Sequence, residues 1–234
     1  MERMEVFDMN SKYSNFLTVF LVIVIIAIIG IIGFLGYKYY KTYVTKNSSE
    51  EFVDTFGKDT SNSENKAKDN SGDEKISFDG VEQGGSNENT TSSTGGKRKQ
   101  YNGFDVAGTI EIPATGLKCP VLEQYEYSPK ALETSVVVLY GAGLNQVGNT
   151  TIAGHNYRNN TFFSNNKKLK TGDKIYITDY TGKRLPYTIY DKFEAAENES
   201  DYITRDTQGA IEISLTTCTD DSKARTIILA KADA

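Results

Sequence analysis

The sequence predicts an all-β domain of eight short strands, carried behind a single membrane-crossing helix and a flexible acidic tether. Three observations predict it. Phe16 to Tyr37 is an uncharged apolar run of 22 residues. Residues 38–99 are mostly polar, with too few apolar side chains to bury a core. From Gln100 onward, alternating β-branched and aromatic runs are separated by turn residues.

Residues 1–15 form a short polar flank. The run that follows, FLTVFLVIVIIAIIGIIGFLGY over residues 16–37, rises ~1.5 Å per residue as a helix and so crosses a hydrocarbon core of ~30 Å. It leads into Lys38, Tyr39, Tyr40 and Lys41 rather than a small-residue cleavage site, so an uncleaved anchor is expected, with Tyr37, Tyr39 and Tyr40 at the membrane interface. A buried core helix is the alternative, but such helices are rarely so uniformly apolar over this length. Arg3 and Lys12 precede the run and Lys38, Lys41 and Lys46 follow it, a difference that leans toward a cytoplasmic C-terminus.

Residues 38–99 are read as a flexible, mostly disordered tether. From Asn47 to Lys97 there are 11 acidic and 5 basic residues, with only scattered apolar positions such as Phe52, Phe56, Ile76 and Phe78. A flexible coil of this length has an r.m.s. span of roughly 40 Å. The tether also accounts for the chain's net charge of −5. The domain behind it is near neutral, and no nucleic-acid partner is expected.

Within residues 100–234 strands are expected near Val106–Ile112, Lys118–Leu122, Ser135–Tyr140, Thr150–Ala153, Lys174–Thr178, Arg184–Phe193, Ile211–Thr217 and Thr226–Lys231. Ser128 and Pro129 supply an N-cap and first-turn proline for a short helix through Leu132, and a second short helix is expected within Asn160–Leu169. Eight short strands in this length make one barrel or one sandwich, and periodicity does not separate the two.

The chemical inventory is small: one histidine, His155, and two cysteines, Cys119 and Cys218. Taken singly, a lone His is usually a surface or structural residue, and a lone Cys a small buried hydrophobe. Here both reactive residues fall at strand ends. His155 follows Thr151-Ile152-Ala153-Gly154, and Cys218 closes IEISLTTC just before the polar loop Thr219-Asp220-Asp221-Ser222. If those strands are adjacent, both side chains share one rim. A thiol that attacks a carbonyl needs a partner for its proton and a donor for the leaving amine, and His155 is the imidazole available for both. Arg225, seven residues after Cys218, offers fixed donors for a developing oxyanion, or else a salt bridge to Asp220 or Asp221. Cys119, in LKCPVLE, is expected as a buried free thiol; the alternative is a disulfide to Cys218 on an oxidising surface. The two Cys and one His lack the paired spacing of structural zinc.

These residues resemble the sortases, the Gram-positive cell-surface cysteine transpeptidases. TIAGHN at Thr151–Asn156 looks like the family's histidine strand end, SLTTC at Ser214–Cys218 is similar to its TLxTC motif, and Arg225 follows at about the family's interval. The resemblance covers roughly residues 100–234 and implies a barrel in which His155, Cys218 and Arg225 are catalytic. It further implies support of substrate or oxyanion by Thr217 and Asn156. No cofactor is expected, although the acidic loop Glu194, Glu197, Glu199 and Asp201 lies where some sortases bind calcium.

What the resemblance implies about activity is cleavage of an LPxTG-like sorting signal on surface proteins, a thioester on Cys218, and transfer to an amine of a peptidoglycan precursor or a pilin lysine. It places the enzyme domain outside a single-pass membrane anchor, against the weak charge bias. The subclass is open. Neither the aromatic lid motif nor the second C-terminal span of pilus-building sortases is seen. GHN with Phe162-Phe163 looks like the second sortase class, yet only about 18 residues separate Phe193 from Glu212, short for that class's helical insertion. The other readings are a surface cysteine peptidase or other cysteine transpeptidase, and a non-catalytic β-barrel adhesin or binding module. With location as the tether's only role, a chain beginning near Gln100 is expected to fold and work as the intact protein does.

Overall fold

The computed structural model describes residues 3–66 and 98–233. The chain divides into two compact units, Met1–Asn47 and Ser48–Ala234.

Helix α1 runs Arg3–Lys66. In the first unit its apolar side chains, from Phe16 to Leu35, point outward on all sides, and none of its most apolar stretch is buried. An all-round apolar helix with no protein covering it matches lipid rather than water. Among the described residues it is the one helix long and apolar enough to cross a membrane.

In the second unit α1 behaves differently. Ser49, Val53 and Phe56, spaced four and three residues apart on one helical face, are buried. Phe56 joins a core cluster with Tyr101, Val106, Leu122, Ala131 and Val137, and Phe52 packs edge-on against Tyr101 at 5.2 Å between ring centroids. Polar bonds frame the contact: Ser49 Oγ lies 3.2 Å from Tyr101 Oη, Lys99 Nζ donates to the Phe56 carbonyl at 3.0 Å, and Lys118 Nζ meets Asp54 at 2.9 Å. The disordered tether expected from Lys38 is thus replaced by helix as far as Lys66. Composition counted too few apolar residues for an independent core, but these few complete a core that the β domain provides. The remainder of the expected tether, residues 67–97, lies outside the described residues.

The strands are β1 Gln100–Tyr101, β2 Phe104–Ile112, β3 Leu117–Leu122, β4 Val136–Gly141, β5 Gly148–Ala153, β6 Lys174–Asp179, β7 Arg184–Ala196, β8 Ile211–Cys218 and β9 Ala224–Ala232. Their order is β1-β2-β3-β4-β5-β8-β9-β7-β6, and β2 also pairs with β6, so β2 to β9 close into an eight-stranded barrel with β1 attached to β2. Closure selects the barrel over the sandwich. Each of the eight expected strands is present; the two-residue β1 is additional. Ser128 caps α2, Pro129–Thr134, by accepting from Ala131 N at 3.2 Å, and a 3-10 helix occupies Phe162–Lys168.

The interior is filled by inward residues such as Ile110, Val121, Ile152, Ile177, Tyr187 and Ile213. β8, between β5, parallel, and β9, antiparallel, is buried on both faces: Ile213 and Leu215 face the barrel interior, and Ser214 and Thr216 lie under Tyr202 of the loop before β8. This central position explains why its sequence is almost continuously apolar or Ser/Thr.

The docked segment leads to a stability prediction. Burying a Val or Phe side chain contributes ~1.5–3 kcal/mol, and ordering the helix offsets part of it, leaving roughly 2 kcal/mol. For a chain of this size that corresponds to a melting shift of about 5 °C. A chain beginning at Gln100 is expected to melt lower than one beginning at Ser48 by about that much; equal melting curves would return residues 48–56 to a passive tether.

Candidate active site

Two adjacent strand ends build the site. β5 and β8 pair in parallel register as far as Ala153 and Thr216, and Gly154 N then donates to Thr216 O at 3.1 Å. Two residues further on, Asn156 Nδ2 donates to Cys218 O at 3.0 Å. The residues on either side of His155 are therefore both bonded to the segment ending in Cys218, which brings His155 and Cys218 to the same end of the barrel. Both are half-buried, as a rim position requires.

The motif glycine has a packing reason. A Cβ on Gly154 would lie 2.7 Å from both Phe163 Cδ2 and Val136 Cγ1. Phe163 is fully buried, and its N–H donates to His155 O at 3.2 Å. The loop after His155 thus folds down on the 3-10 helix, with Tyr157 N bonded to Ser164 Oγ at 3.0 Å. The His155 ring packs against Tyr157, with centroids 4.9 Å apart.

Arg225 reaches the thiol by hairpin register. In the β8–β9 ladder Cys218 faces Arg225, and Arg225 Nη1 donates to Cys218 Sγ at 3.3 Å. The interval from Cys218 to Arg225 spans the hairpin turn, residues 219–223, and the first residue of β9. The guanidinium's other end, Nη2, donates to Glu197 Oε1 at 2.8 Å. The Asp220 or Asp221 partner considered from sequence is replaced by Glu197 from the loop after β7. Asp220 instead takes Lys167 and Asn156. Those two hydrogen bonds, Lys167's first, hold its carboxyl below the usual carboxylate range.

Thr217 is 4% exposed and its hydroxyl is buried without a hydrogen-bond partner. Successive residues of a strand point to opposite faces, so this hydroxyl lies on the face of β8 that Ile213 and Leu215 share in the barrel interior, and the Cys218 thiol on the other. Cys119 is buried and free, as is the half-buried Cys218, so no disulfide joins them. Burial pushes the Cys119 thiol up to about 12, which leaves it inert at neutral pH. Of the acidic loop, Glu197 is held by Arg225 and Glu199 accepts from Ala196 N at 3.3 Å. Among the described residues no three His, Cys, Asp or Glu side chains are grouped as a metal would need.

One residue without a sequence signal organises the loop between β7 and β8. Asn149, buried on β5, donates to Tyr202 O at 3.0 Å and Ile203 O at 2.9 Å, and accepts from Arg205 Nη2 at 3.0 Å and Ser214 Oγ at 2.9 Å. The loop that carries Glu197 is thereby tied to the sheet.

The closed eight-stranded barrel agrees with the family comparison. The sortase domain model matches residues 110–233, more than half of the chain, and the chain belongs to the sortase family. It is 34% identical over 126 residues to sortase A of Bacillus anthracis, a match that takes 48% of this chain and 52% of that protein. The chain thus spans about half the length of that curated relative. Among solved structures, a lid mutant of sortase A from Corynebacterium diphtheriae superposes with a TM-score of 0.51 at 26% identity, covering 56% of this chain and 72% of that one. A sortase D5 transpeptidase of Clostridium perfringens gives 0.54 at 24% identity, covering 82% of this chain and 99% of that one, a likeness of fold alone.

Proposed function

We propose that the protein is a membrane-anchored cysteine transpeptidase that cuts an LPxTG-like sorting signal on surface proteins and passes the acyl group to an amine. The observation that carries this reading is Arg225 Nη1 at 3.3 Å from Cys218 Sγ, at the rim that also holds His155. The apolar helix supports a single-pass anchor, and the likeness to cell-surface sortases, against the weak charge bias, favours a barrel outside the cell.

In this reading Cys218 gives its thiol proton to His155, and Sγ attacks the carbonyl carbon of the Thr–Gly type bond. The S–C bond forms, the carbonyl electrons move onto oxygen, and Arg225 stabilises that charge. The C–N bond then breaks, His155 gives its proton to the leaving amine, and a thioester remains on Cys218. An acceptor amine, from a peptidoglycan precursor or a pilin lysine, attacks the thioester and loses a proton to His155; the C–S bond breaks, and His155 returns that proton to the departing sulfur.

The test is a fluorogenic LPxTG-type peptide incubated with and without an amine acceptor. Acceptor-dependent product is expected. Hydrolysis unaffected by the acceptor would mark a peptidase, and no turnover with any sorting peptide would favour a binding module. Arg225→Lys keeps the charge but loses the planar fork that spans Sγ and Glu197. A fall in kcat/KM of ~10²-fold is expected, the scale for losing one oxyanion donor; near-normal kinetics would make Arg225 structural.

A further inference from the structure

His155 lies in the loop after β5 and Cys218 ends β8, and side chains with no part in the chemistry tie these two segments together. The backbone ladder between these strands ends at the Gly154 N to Thr216 O bond. Beyond it, the peptide carbonyl of Cys218 takes its donor on this side from the Asn156 amide at 3.0 Å. The same Nδ2 donates to Asp220 Oδ1 at 3.0 Å. An amide nitrogen has two protons, and both are engaged, so Asn156 keeps none for a tetrahedral oxygen. This replaces the oxyanion-support role that the sequence suggested for it. Asn156 Oδ1 accepts from Arg158 N at 3.1 Å, fixing its own loop, and Arg158 Nη2 reaches Ser222 Oγ at 3.3 Å. The second Asp220 oxygen is held by Lys167, on the 3-10 helix under the histidine loop.

We propose that Asn156, backed by Asp220 and Lys167, is a positioning residue: a clamp that continues the β5–β8 pairing past its last backbone bond and fixes His155 relative to Cys218. The inference rests on the transpeptidase reading of the rim. Lys167 and Asp220 are each about half exposed, 53% and 48%, so their pair contributes little by itself. The weight falls on Asn156, whose amide meets the backbone of the reacting residue.

The test uses the full chain. Asn156→Asp keeps the side chain's shape but removes both donors and sets a carboxylate against Asp220. Transfer to an amine acceptor is expected to lose ~10- to 100-fold in kcat, the scale of a small misplacement of reacting groups, with KM within about twofold because the residue does not touch substrate. Asn156→Asp combined with Asp220→Asn restores a side-chain bond between the two loops but not the donor to Cys218 O, so kcat is expected to stay within about twofold of the single variant. Unchanged kcat in the single variant, a change confined to KM, or full recovery in the double variant would overturn the clamp. If the unsubstituted chain processes no sorting peptide, the transpeptidase reading fails, and the clamp is judged on Cys218 alone. Iodoacetamide reads that thiol because Cys119 is 1% exposed. The alkylation rate against pH should differ between the unsubstituted chain and the neutral Asn156→Ala variant, and coincident profiles would overturn the proposal.

Discussion

Cys218→Ala is expected to lower transpeptidation by on the order of 10³-fold or more while the barrel melts almost as before. The first half follows from chemistry: Cys119, the other thiol, is buried on β3 with its ionisation suppressed, and cannot substitute. The second follows from position. Cys218 is half-buried at the last residue of β8, and the contact it loses is a sulfur acceptor for Arg225, whose guanidinium keeps Glu197. Removing one sulfur at a rim should change stability by less than ~1 kcal/mol. Kinetics with the sorting peptide and amine acceptor, paired with a thermal melt, check both halves. Retained turnover would eliminate the cysteine mechanism; loss of folding would show that Cys218 is a packing residue and that its loss of activity says nothing about chemistry.

The features legible in the sequence are those encoded locally. Each strand from Phe104 onward announced itself by β-branched content and flanking turns, and the capping Ser128-Pro129 pair marked α2. The hairpin that returns Arg225 to Cys218 was implied by their interval. What sequence missed depends on contacts distant along the chain. Ser49, Val53 and Phe56 do show a helical spacing, but two apolar residues and a serine form no core until Tyr101 and Leu122 cover them. Apolar content decides whether a segment folds alone, not whether it completes a core supplied by another part of the chain. Likewise Asp220 and Asp221 were the acidic residues nearest Arg225 in sequence, whereas the hairpin carries Arg225 back along β9 and the loop after β7 delivers Glu197. The bonds of Asn156 were not legible, because its partners, Cys218 O and Asp220, lie 62 and 64 residues away.

His155→Gln is the second large effect expected, and it separates two roles for the imidazole. If His155 served only to draw the proton from Cys218, raising the pH would ionise the thiol without help and the variant would regain full activity. In the mechanism above that is insufficient, because the tetrahedral intermediate must expel an amine, and an unprotonated amine is a far poorer leaving group than the thiolate. The intermediate then collapses backward to free Cys218 more often than forward to thioester. General-acid assistance is worth ~10²–10⁴-fold, so the Gln variant should lose about three orders of magnitude in kcat and stay low at alkaline pH. Glutamine keeps a polar side chain beside Tyr157, and the loop's backbone bonds, Gly154 N to Thr216 O and Phe163 N to His155 O, do not involve the ring, so the rim should persist. The decisive comparison uses a thioester or activated ester substrate, whose leaving group needs no proton. The variant should process it far better than the amide, with the largest gain at high pH. Equal losses on amide and ester would deny His155 the general-acid role, and full recovery on the amide at high pH would reduce it to a base.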